Sequence, residues 1–140
     1  MLWETIILLG KKDNMKRLYI SILFFALAFI GASVEMGYVN AKTDFFLALI
    51  EQADKNVEKE NYNEAFELCN EMEKKWKASS KIVDMMLNHE NIDSVGVNFA
   101  KMSSHIKKGN IPLYYAESIT AKKELAYIKE SESLNLENIL

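Results

Sequence analysis

The chain has 140 residues, 49% hydrophobic, 26% charged and 11% aromatic, with five Gly, one Pro, one Cys and a formal net charge of −3. That length holds one ordinary domain, the hydrophobic fraction excludes a disordered chain, and the scarcity of Gly and Pro argues against strands joined by tight turns. Cys69 is the single cysteine, so an internal disulfide is excluded and packing alone must hold any extracytoplasmic domain.

Residues 1–14, MLWETIILLGKKDN, form a short apolar piece ahead of a second start, Met15-Lys16-Arg17. We read them as an upstream extension with translation from Met15; a short amphipathic segment on the inner leaflet is the alternative. Residues 18–34, LYISILFFALAFIGASV, carry no charge. As a helix they rise about 25 Å, just short of the roughly 30 Å hydrocarbon core. Residues 36–41 close that gap and put Glu35 near one interface. Tyr19 and Tyr38 fall near the two ends, where amphipathic rings favour the headgroups.

Phe and Leu lie on every face of this stretch, which argues against a buried core helix in so small a domain. A cleaved signal peptide competes, with Val39-Asn40-Ala41 as its small-x-small site, but that site lies far past the apolar run and beyond Glu35. An uncleaved signal-anchor over residues 15–41 is therefore expected, followed by an extracytoplasmic domain over 42–140. No Cys follows the run closely, so lipoprotein processing is excluded. Lys11, Lys12, Lys16 and Arg17 precede the span and only Lys42 soon follows it. The positive-inside rule then gives a single pass through the cell membrane with a cytoplasmic N-terminus.

From residue 42 onward the pattern is helical. Phe46, Ile50, Ala53 and Val57 recur at helical steps over about 43–59, with Asp44 as a candidate cap unless the helix continues from the span. Asn61 is a good N-cap and Glu64 completes a capping box. The next seam is Tyr62, Ala65, Phe66, Cys69, Met72 and Trp76, opposite Glu67, Glu71, Lys74 and Lys75. Ser79-Ser80 interrupts it, and Ile82, Val83, Met85, Met86 and Leu87 read as a short helix or a bent continuation. A third seam, Ile92, Val95, Phe99, Met102 and Ile106, spans about 91–108, weakened by Gly96 and stopped by Gly109-Asn110. Pro112 opens a fourth helix, with Ile111, Tyr114, Ser118, Ala121, Leu125 and Ile128 in its seam. The apolar tail, 134–140, is expected to dock back. The fold class is all-α: an N-terminal transmembrane helix followed by an antiparallel bundle of about four helices.

Candidate chemistry is sparse. His89-Glu90 opens like a zinc-protease helix motif, but Asp93 stands where the second His belongs, and His105 is about 24 Å further along a continuous helix. Cys69 reads as a small core residue, its thiol pKa raised by Glu67, Glu71 and Glu73. From Glu35 onward 13 Lys face 18 Asp plus Glu with no Arg, which argues against nucleic acid as a partner. No cofactor or metal is implied. Glu60-Asn61-Tyr62-Asn63-Glu64-Ala65 resembles the hinge of a tetratricopeptide repeat, as a single copy.

Met15-Lys16-Arg17 with its apolar run, Trp76, Asn88-His89-Glu90-Asn91-Ile92-Asp93 and the ending Glu132-Ser133-Leu134-Asn135-Leu136-Glu137-Asn138-Ile139-Leu140 carry a family resemblance. From about Met15 onward the chain resembles a family of small uncharacterised proteins of spore-forming Gram-positive bacteria, classified only as a domain of unknown function. The resemblance implies a membrane-anchored helical module without an assigned reaction, and a small multi-pass membrane protein as partner. It supplies no catalytic residue.

The function expected is a binding or scaffolding module for another envelope protein, without catalysis. Its candidate partner surface is His89, Glu90, Tyr115, Tyr127, Leu134 and Leu136; a homo-oligomer stays open. The alternatives are a metal-assisted hydrolase using His89, Glu90, Asp93 and His105, and a cleaved, secreted tetratricopeptide-like binding module.

Overall fold

Apolar residues three and four apart fold into four α-helices in the structure, a computed structural model that describes residues 2–83 and 89–137, with side chains described over 15–79 and 92–131. In chain order they are α1 (Leu2–Glu58), α2 (Tyr62–Val83), α3 (His89–Lys107) and α4 (Ile111–Glu137). Among the described residues there is no strand. The chain divides into two units, one ending at Glu35 and one beginning at Met36.

In the first unit the uncharged stretch meets almost no protein. Phe25 is 78% exposed and Phe24 68%. Among the described residues this part of α1 is the one helix stretch long and apolar enough to cross a membrane.

The second unit starts ahead of the boundary expected at residue 42. Val39 and Thr43 are already buried, because both fall in step with Phe46, Ile50, Ala53 and Val57 on the inward face of α1. The Thr43 hydroxyl donates to the carbonyls of Val39 and Asn40, each at 3.0 Å, which satisfies it inside the core. Asp44 is not a cap: it lies inside α1, and its carboxylate accepts from Lys129 Nζ at 2.6 Å.

The expected seams are buried except at Tyr62, which is exposed, and at Phe66 and Ile111, which are half-buried. Ala65, Cys69, Met72 and Trp76 line α2; Ile92, Val95, Phe99, Met102 and Ile106 line α3; Tyr114, Ser118, Ala121, Leu125 and Ile128 line α4. Burial of each large apolar side chain contributes roughly 1.5 to 3 kcal/mol. At the centre Phe46 meets Trp76 edge to face at 5.0 Å and stacks on Phe99 at 5.7 Å, so one aromatic set joins α1, α2 and α3.

Gly96 has a packing role there. A Cβ on it would stand 3.2 Å from Trp76 Cδ1, and the indole Nε1–H donates to the Ile92 carbonyl at 2.9 Å. That carbonyl lies one helical turn before residue 96, where a side chain would cover it. The glycine leaves it open to the indole.

Two short turns use one geometry. After α1, the Glu60 N–H donates to Val57 O and the Asn61 N–H to Asn56 O; after α3, Gly109 and Asn110 donate to Ile106 O and His105 O. Both turn residues are left-handed, φ 60 at Glu60 and 67 at Gly109, as a Schellman motif requires. Asn61 and Asn110 then precede the next helices, whose first bonds run from Ala65 to Asn61 O and from Tyr114 to Asn110 O.

One expectation changes. Ser79-Ser80 does not interrupt α2, which runs on to Val83; serine lowers helix propensity by only about 0.5 kcal/mol and breaks nothing. Of the tail expected to dock back, residues 134–137 continue α4, with side chains outside the described residues. Met85, Met86 and Leu87 lie outside the described residues, as do residues 138–140.

Candidate functional site

Among the described residues the densest polar constellation is at Asp54. Its neighbour Ala53 faces the core, so Asp54 falls at the edge of the α1 seam, where α4 packs. Tyr114, Ser118 and Lys122 stand four residues apart on α4 and therefore share one face. Tyr114 Oη donates to Asp54 Oδ1 at 2.8 Å, Ser118 Oγ lies 2.9 and 3.1 Å from the two carboxylate oxygens, and Lys122 Nζ donates to Oδ2 at 2.6 Å. The carboxylate is 13% exposed. Both of its oxygens accept from α4, and the Ser118 hydroxyl is buried and committed to Asp54. Chemically this is an interhelical clasp, with the charges of Asp54 and Lys122 compensating each other.

The clasp also governs its neighbours. Burial, then the hydrogen bond to Asp54 and its charge, hold the Tyr114 hydroxyl well above the usual tyrosine range. Burial pushes the Cys69 thiol up to about 12, with the Asp54 charge adding to it. The direction is the one expected, but the causes are burial and a carboxylate across the core rather than the acidic neighbours on α2. Cys69 packs as a core residue.

A second carboxylate, Glu124, sits on the α3 side of α4. Ser94 Oγ donates to its Oε1 at 2.6 Å and Asn98 Nδ2 to its Oε2 at 2.7 Å. Further along, Lys101 reaches Glu117 at 3.4 Å. Asn98 is buried, so Glu124 supplies the acceptor its amide needs. Two acids thus fasten α4 on two sides.

The residues singled out from the sequence are not gathered together. His89 and Glu90 are the first two residues of α3, their side chains outside the described residues, while His105 is in its last turn. About 24 Å of helix rise separates the two histidines, so they do not share one ion. Among the described residues no group of three or more His, Cys, Asp or Glu is placed to hold a metal. Tyr115 lies edge-on to Tyr114 at 5.3 Å, partly buried. Tyr127 is exposed, but on the same helix it is about 18 Å further along and about 120° around, so the two tyrosines form no common patch. Leu134 and Leu136 belong to the end of α4, with side chains outside the described residues. Of the hinge-like segment at the start of α2, Ala65 packs inward, whereas Tyr62 is 40% exposed.

With the helices placed, comparison with known families becomes informative. A family model described as Domain of unknown function (DUF4363) matches residues 34–139. The chain belongs to this family. The match covers the second unit and begins at the end of the apolar run, later than the start at Met15 expected from the resemblance. No curated protein and no solved structure matches the chain.

Sequence reasoning did not single out Asp54, Glu124 or Lys122. One signal was available. Ser118 interrupts an otherwise apolar seam, and a hydroxyl at a buried position calls for a partner on the facing helix.

Proposed function

We propose that this DUF4363 protein is a single-pass bacterial envelope protein, its N-terminus cytoplasmic, whose outer helical unit binds or scaffolds another envelope protein. The observation that carries this reading is the exposed, charge-free stretch of α1 attached to a unit with a buried apolar core of its own. An isolated helix with apolar side chains on all faces is stable in lipid and a liability in water. Basic residues on one flank set the orientation.

Retention of the anchor is supported by Val39, which is buried in the second unit. Cleavage after Ala41 would strip this residue from the core, so the released form is the weaker reading. An antiparallel bundle is supported by the pairing order: Asp44 meets Lys129 while Asp54 meets Lys122, and Ser94 meets Glu124 while Lys101 meets Glu117. A binding role fits the use of the half-buried carboxylates of Asp54 and Glu124 in fastening helices. Translation from Met15 remains part of the proposal, and a native N-terminal peptide spanning Glu4 to Lys11 overturns that part.

The test is fractionation of cells with alkaline extraction, followed by protease treatment from outside. The expected result is protein retained in membranes, with residues 42–140 digested in intact cells. Protein recovered in the medium, or resistant until lysis, overturns the reading.

A further inference from the structure

We draw no further inference here: the strongest candidate, the groove between α1 and α4 lined by Asn40, Leu47, Ala126, Lys129 and Glu130, leaves the buried Asn40 amide oxygen without a hydrogen-bond partner among the described residues, but nothing in the structure shows what fills it.

Discussion

Glu60 and Gly109 occupy the same position in two matching turns, each left-handed and each followed by an asparagine that precedes a helix. Glycine adopts that conformation freely, whereas a residue with a Cβ is strained there by roughly 1 to 2 kcal/mol. Glu60→Gly is therefore expected to stabilise the second unit by up to about 1 kcal/mol, after allowing for the added freedom of the unfolded chain. Gly109→Ala is expected to destabilise it by about 1 kcal/mol or more. Urea unfolding of the full chain in detergent, followed by helical circular dichroism, reads both; a loss of stability in Glu60→Gly contradicts the turn assignment.

Removal of the Asp54 carboxylate leaves the Tyr114 and Ser118 hydroxyls buried without their acceptor. Asp54→Ala is expected to reduce stability by about 3 kcal/mol or more. Lys122→Met keeps most of the stem and deletes a partly exposed ammonium, so its effect is expected to be about 1 kcal/mol or less. The ordering of the two midpoints is the readout. Equal effects would mean that the ion pair, not the hydroxyl partners, dominates the clasp.

At Gly96 the contact with Trp76 opposes helix propensity. Gly96→Ala regains about 1 kcal/mol of propensity but asks the indole to move a few tenths of an ångström, so the net change is expected within about 1 kcal/mol of zero. Gly96→Leu sets further atoms beside the indole and is expected to destabilise more than Gly96→Ala, by about 1 kcal/mol or more. Tryptophan fluorescence beside the unfolding curve checks whether the indole has moved. A fully tolerated leucine would show that the close approach of α2 and α3 does not depend on the glycine.

Alkaline pH should weaken the second unit. Cys69 keeps its proton up to about 12 when folded, while an unfolded thiol loses it near 8.5. Above that lower value the unfolded state binds fewer protons than the folded one, so unfolding free energy falls by about 1.4 kcal/mol per pH unit for this group. This contribution is fully present below the unfolded pKa and is lost as pH rises towards 12. Tyr114, also raised, steepens the fall once an unfolded tyrosine ionises near 10. Folded Cys69 is expected to resist an aromatic disulfide reagent at pH 8 and to react only on unfolding. Rapid labelling of the native protein would place the thiol outside the core.

The sequence by itself determined the helices and their inward faces, because a 3.6-residue period leaves one apolar stripe per helix that only burial can satisfy. Phe46, Ile50, Trp76, Phe99, Leu125 and their neighbours were legible for that reason, as was the uncharged stretch before them. It also placed the turn at Gly109-Asn110. Tertiary structure alone decided which charged residues matter. Asp54 and Asp44 look alike in the sequence, yet Asp54 falls where α4 covers α1 and Asp44 stays exposed. It also decided that Val39 belongs to the core and that Gly96 makes room for an indole. Each of these depends on which helix lies against which, and that is set by packing between segments distant in the chain rather than by any local period.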